Sequence, residues 1–195
     1  MSRVAEVATR QLIISRMAGF PLDTFVVIDM PLEVERHVRQ IRQRYGSARQ
    51  FLPVEVTIAG SSGVGVFAAE QDAEAALDIV NGIAASTGAF AVEFQDVRRF
   101  PDSGVFYFAL KDANRVVLLH ERLVGAGLLF NASLYPFSPH LTIDAFDEPT
   151  PELERELLSL PVPRGRHFLE SLSVYSLKGW DCRLVRSFRF GRASS

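Results

Sequence analysis

The sequence has a single cysteine, Cys182, in 195 residues. One thiol excludes an internal disulfide and any zinc site built from several cysteines, and it fits a reducing compartment. An excess of either charge is missing too: 21 Lys and Arg stand against 23 Asp and Glu. No global field draws such a chain toward nucleic acid or an anionic membrane, so any nucleic-acid binding has to be local. No apolar run approaches the ~20 residues that span a bilayer. The opening MSRVAEVATRQLIISRM has neither a long uninterrupted apolar segment nor a small-residue cleavage pattern. Together these absences predict a cytoplasmic protein without membrane contact. Gly63 and Gly65 in SSGVGVF lack the GxGxxG spacing of a dinucleotide site and read as a flexible loop. What is present, 48% apolar and 23% charged residues, suits an ordinary globular domain with one sizeable core.

The pattern along the chain predicts an α+β fold. Residues 1–20 carry a short amphipathic pattern and are set apart as an N-terminal extension, leaving 21–195 as a single domain. Phe25 to Ile28 read as a buried strand. Pro31 opens a helix with Val34, Val38, Ile41 and Tyr45 at helical spacing, ending near Gly46. PVEVTIAG is a second strand, and Asp72 caps a helix carrying Ala76, Leu77, Val80 and Ile83. Phe90, Val92 and Phe94 alternate as a half-buried strand, with GVFYFAL as its partner across the turn FPDSG. The order then repeats. Asp112 caps a helix with Val116, Leu119 and Leu123, HLTIDAF is a strand, Thr150 and Pro151 open a helix, and two strands near 169–177 and 182–190 close the chain. Thr57 and Thr142 fall at matching places, 142 − 57 = 85 residues apart. A duplication of this kind implies two lobes sharing one core, roughly 31–110 and 112–190. Antiparallel sheets would flank a central cleft with helices outside.

The chemistry sits on the two central strands. Side chains alternate in a strand, so His140 and Thr142 project together while Leu141 and Ile143 turn to the core. Glu55 and Thr57 do the same on the matching strand. Facing one another across the cleft, these pairs supply two hydroxyls and two titratable groups, a plausible phosphate cradle.

The run FSPHLTI resembles the second signature of the 2H phosphoesterase superfamily, which includes the bacterial 2′-5′ RNA ligase-like proteins and the 2′,3′-cyclic-phosphate phosphodiesterases. That family carries His, any residue, Thr or Ser, then an apolar residue, once in each lobe of a duplicated αβ fold. The resemblance in element order covers about residues 24 to 190. It implies that His140 is the second-motif histidine, that Thr142 and Thr57 are phosphate-binding hydroxyls, and that no metal or cofactor is required. In the family scheme one histidine is the general base and the other protonates the leaving oxygen, roles suited to an imidazole that titrates near neutrality. Here Glu55 stands where the first-motif histidine belongs.

An unperturbed glutamate titrates near ~4.3, which makes it a poor base at neutral pH. Ionised at roughly 4 Å from a phosphodiester it would be repelled by about 4 kcal/mol at an effective dielectric of ~20. Losing general acid–base help costs about 10²- to 10⁴-fold. The sequence therefore predicts a monomeric 2H phosphoesterase-like protein that binds or hydrolyses a cyclic or RNA-terminal phosphate ester with weakened or altered activity. The alternative is a non-catalytic nucleotide- or RNA-binding or scaffold protein that keeps the fold. Catalytic candidates are His140, Thr142, Thr57 and Glu55. Ser61 and Ser62 at the cleft mouth are candidate ligand donors. Tyr135 and Phe137 are candidate base-stacking surfaces, with core packing given equal weight. His37, His120 and His167 are assigned surface or helix-packing roles.

Overall fold

A computed structural model describes residues 19–191. The amphipathic pattern within residues 1–18 lies outside that range. Four α-helices and eleven strands are present among the described residues. The strands are β1 (Asp23–Asp29), β2 (Glu55–Ala59), β3 (Val64–Phe67), β4 (Phe90–Val92), β5 (Phe94–Arg99), β6 (Val105–Leu110), β7 (Phe130–Ala132), β8 (His140–Ala145), β9 (His167–Leu169), β10 (Ser171–Lys178) and β11 (Asp181–Arg189). The helices are α1 (Leu32–Arg44), α2 (Ala73–Ala85), α3 (Asn114–Val124) and α4 (Pro151–Leu158).

The helix starts follow from local chemistry. Asp72 accepts from the Ala75 amide at 2.7 Å and Thr150 from the Leu153 amide at 3.3 Å, each satisfying an otherwise orphaned donor. Asp112 accepts from the Asn114 amide at 2.9 Å just ahead of α3. α1 begins behind Pro31, whose fixed φ suits a helix entrance.

Two antiparallel sheets dominate, one in the order β11-β10-β1-β2 and the other β5-β6-β8. The helices α2 and α3 back the first sheet, and α1 and α4 the second. The core lies between. On one sheet Val26, Ile28, Val56, Ile58, Leu172 and Val174 are fully buried, as are Phe106, Phe108, Leu141 and Ile143 on the other. This is the expected α+β architecture with antiparallel sheets and outer helices.

The strands of the two sequence halves interchange. β10 and β11, from the end of the chain, join β1 and β2, while β5 and β6 from the first half pair with β8. Such exchange explains why neither half looks self-sufficient in sequence. The single strand expected over Phe90–Phe94 is also divided. β4 pairs with β9, whereas β5 pairs with β6. The glycine loop carries more structure than expected, since β3 pairs with β7 and Phe130 stacks on Phe67 with ring centroids 4.8 Å apart.

Candidate active site

β2 and β8 are the edge strands of their respective sheets and lie next to each other. Their burial patterns match. Val56, Ile58, Leu141 and Ile143 are fully buried, while Glu55, Thr57, His140 and Thr142 are half-buried on the opposite faces. The alternation read from the sequence thus places the four candidate residues on two neighbouring strands.

Arg42 of α1 holds the two strands at a fixed spacing. Its Nε donates to the Ile143 carbonyl at 2.9 Å and Nη2 to the Thr142 carbonyl at 3.0 Å. Nη1 donates to the carbonyls of Leu52 (3.1 Å), Arg49 (3.1 Å) and Pro53 (3.3 Å), in the segment leading into β2. The residue is 1% exposed. Burial, helped by the neighbouring charge of Arg49, lowers its pKa to about 10, so it stays charged at neutral pH. Ser47 adds a second tie by donating to Asp144 Oδ1 at 2.6 Å.

His140 points one nitrogen inward. Its Nδ1 lies 2.6 Å from the Ser138 carbonyl, which can only accept, so Nδ1 carries the hydrogen and Nε2 holds the lone pair. Phe100 and Tyr107 meet the ring edge-on, with centroids at 4.8 and 5.2 Å. Burial pushes its pKa below the ordinary histidine value and the charge of Arg49 adds to that, against the hydrogen bond to Ser138. The result is a neutral imidazole whose Nε2 has no hydrogen-bond partner among the described residues.

Glu55 is displaced the other way. Burial raises its carboxyl to about 7, and Asp29, opposite it on β1, pushes in the same direction. The Thr57 hydroxyl, 3.1 and 3.2 Å from the two carboxyl oxygens, works against that rise, as do the charges of Arg49 and Arg42. Asp29 accepts from Ser171 Oγ at 2.8 Å and Ser173 Oγ at 2.5 Å, extending a polar floor beneath Glu55. At neutral pH a large share of Glu55 is therefore the uncharged acid, not the anion assumed from its ordinary pKa.

The other candidates lie in the glycine loop and in the segment before β8. Ser62 Oγ accepts from the Ser138 amide at 3.4 Å, and the Ser61 carbonyl accepts from Ser133 Oγ at 2.9 Å, so the glycine loop is tied to the segment before His140. Tyr135 is 68% exposed. Phe137 lies flat on His120, with centroids 3.8 Å apart and planes 4° from parallel, so one of its faces is covered. His120 itself is packed, its Nδ1 donating to the Ile58 carbonyl at 2.7 Å. His167 is buried and pairs with Glu33 of α1 at 2.6 Å.

Sequence reasoning missed Arg42, Arg49 and Asp29. Arg42 left a signal, for it falls four residues after Val38 and eight after Val34, on the apolar stripe of α1 itself. Asp29 ends an apolar strand, the place where a polar side chain can reach a cleft. No sequence pattern marks Arg49.

A cavity of about 290 Å³ lies elsewhere, lined by Ser86, Thr87, Arg115 and Arg122 among others. Arg122 is spent on Thr87 Oγ1 and Ser86 Oγ, each at 2.7 Å, where it closes the end of α2. Among the described residues no group of three or more His, Cys, Asp or Glu is placed to hold a metal, and no helix is long and apolar enough to cross a membrane.

The family model for the 2′-5′ RNA ligase superfamily matches residues 30–179, a span that contains both motif strands. The chain belongs to the 2′-5′ RNA ligase superfamily. Solved structures of similar fold include Escherichia coli LigT complexed with 3′-AMP, at a TM-score of 0.60 and 19% identity over 88% of this chain and 99% of that one. The Thermus thermophilus protein TT0787 aligns at 0.59 and 17% identity, over 88% and 99%. LigT complexed with ATP aligns at 0.58 and 19% identity, over 89% and 100%. No curated protein matches the chain.

Proposed function

We propose that this member of the 2′-5′ RNA ligase superfamily binds and slowly cleaves a cyclic or RNA-terminal phosphate ester, using Glu55 as the general acid and His140 as the general base. The observation that carries this reading is the opposed displacement of the two groups: Glu55 raised to about 7 and His140 lowered to a neutral ring with Nε2 free. Paired titratable groups whose surroundings push them apart are the usual basis for assigning acid and base.

In hydrolysis, His140 Nε2 takes a proton from water as the new oxygen–phosphorus bond forms. The bond from phosphorus to the leaving ribose oxygen breaks, and the Glu55 carboxyl gives that oxygen its proton. Histidinium and carboxylate remain, and proton exchange with solvent resets both. Thr142 supplies a hydroxyl to a phosphate oxygen. A protonated Glu55 also removes most of the roughly 4 kcal/mol repulsion that an ionised one would exert on the anion. The rate stays below that of a two-histidine site because a neutral acid lends the developing charge less than a histidinium does.

Turnover of nucleoside 2′,3′-cyclic phosphates tests the reading. Slow hydrolysis by the wild type, lost about 10²- to 10⁴-fold in both His140→Ala and Glu55→Gln, is expected. Turnover that survives His140→Ala overturns it.

One observation favours a second reading, a binding protein without catalysis. The Thr57 hydroxyl donates to Glu55 and so offers its hydrogen to no phosphate. On that reading the protein binds a nucleotide or RNA-terminal phosphate through Thr142 and the exposed Tyr135, the wild type shows no turnover, and Thr142→Val abolishes binding.

A further inference from the structure

Arg42 and Arg49 lie close together beside the motif strands, but the structure uses them in opposite ways. Every nitrogen of the Arg42 guanidinium donates to a backbone carbonyl. Arg49 has a pinned backbone and an uncommitted head. Its amide donates to Ser47 Oγ at 2.9 Å, and its carbonyl accepts from Arg42 and from the Leu52 amide at 2.9 Å. It sits in a short 3₁₀ turn, Ala48–Phe51, six residues before Glu55. Its Nε is shielded from solvent and has no hydrogen-bond partner among the described residues. A buried donor left unpaired is unfavourable, and a bound acceptor recovers that cost. The charge of Arg49 is felt at both Glu55 and His140.

We propose that Arg49 is the anion-binding residue of this cleft, donating its guanidinium fork to the phosphate oxygens of the bound ester and supplying the positive charge that Glu55, standing where a histidine is expected, does not. The inference rests on the phosphoester reading above. A planar fork suits two phosphate oxygens at once, and a rigid backbone limits the entropy lost on binding. Thr142 and Arg49 then grip the phosphate while Glu55 and His140 handle protons, which divides binding from chemistry in a way the two-histidine pattern does not require. Arg42, the other cation felt at Glu55, is committed elsewhere, since each of its three guanidinium nitrogens donates to a backbone carbonyl.

Titration calorimetry with adenosine 3′-monophosphate on the full chain tests the inference. Arg49→Gln should weaken binding about 10- to 100-fold, as expected for loss of a charge-assisted hydrogen bond. Arg49→Lys, which keeps the charge and loses the fork, should fall between that variant and the wild type. A purely structural role would not alter the titration of His140. Followed by NMR, its midpoint should rise in Arg49→Gln and stay near the wild-type value in Arg49→Lys, because the opposing cation is lost only in the first. Wild-type binding that Thr142→Val weakens and Arg49→Gln leaves unchanged overturns the inference and spares the phosphoester reading. An absence of binding by the wild type overturns both.

Discussion

The Arg42 guanidinium donates to the Thr142 carbonyl at 3.0 Å, reaching from α1 to the strand that carries His140. The same side chain holds the Leu52 carbonyl at 3.1 Å, three residues ahead of Glu55. β2 and β8 belong to different sheets, so no ladder of hydrogen bonds sets their separation. A buried arginine bridges them instead, with the Ser47–Asp144 hydrogen bond as a second tie.

Arg42→Ala leaves the carbonyls of Ile143, Thr142 and Leu52 without their donor in a dry environment. The expected loss is about 3–5 kcal/mol of stability, since truncating one partner of a buried charged network strands the others. Urea denaturation measures it. Arg42→Lys should recover only part, because one ammonium cannot reach carbonyls on both strands with fork geometry. A loss under about 1 kcal/mol would show that packing alone holds the strands together.

Glu55 makes stability depend on pH in an unusual direction. Its carboxyl titrates near 4.5 when unfolded and at about 7 when folded. Between those values the native state holds a proton that the unfolded chain has released. Its contribution is complete below pH 4.5 and disappears as pH rises through 7, on the order of 2 kcal/mol. His140, lowered when folded, works oppositely: its contribution grows as pH rises toward 6.5. Subtracting the pH–stability curve of Glu55→Gln from that of the wild type isolates the glutamate. The difference should decline between pH 4.5 and 7, and a flat difference would show that the carboxyl is not displaced.

Much of this was legible from residue order. The alternation of EVTI and HLTI put Glu55, Thr57, His140 and Thr142 on the faces away from the core, because period two admits only one assignment once Val56, Ile58, Leu141 and Ile143 are taken as core. The exchange of strands between halves was not legible. Local pattern says that β10 is a strand but not that it pairs with β1, where Ile28 lies opposite Leu172, 172 − 28 = 144 residues away. The charge state of Glu55 was equally hidden, since it depends on burial and on Asp29 across the ladder, neither of which neighbouring residues in sequence determine.

The loop at Gly63 read as flexible from its glycines, yet it is held. The Gly63 amide donates to the Tyr135 carbonyl at 2.8 Å, and its φ is +71°. A Cβ there would come within 2.5 Å of the His120 ring and 2.9 Å of Phe137. Gly63→Ala combines backbone strain with a clash against the stacked pair, so about 1–3 kcal/mol should be lost. For a chain of this length that is roughly a 2–10 °C lower Tm, measured by thermal denaturation. An unchanged Tm would mean that the loop moves freely after all.

The acid–base assignment has its own signature in the pH dependence of kcat/KM. The active form requires His140 neutral and Glu55 protonated. Activity should rise with pH as His140 loses its proton, below the ordinary histidine value of 6.5, and fall as Glu55 ionises at about 7. The two limbs leave a narrow optimum on the acid side of neutrality. Glu55→Gln should remove the basic limb along with most of the rate, as the amide cannot give up a proton to the leaving oxygen. Glu55→His should raise the rate, because a histidinium both donates the proton and attracts the phosphate, and this gain is the direct measure of what the glutamate costs the site. A profile that keeps rising above about pH 7 in the wild type would remove Glu55 from the acid role and leave it as part of the polar floor beside Asp29.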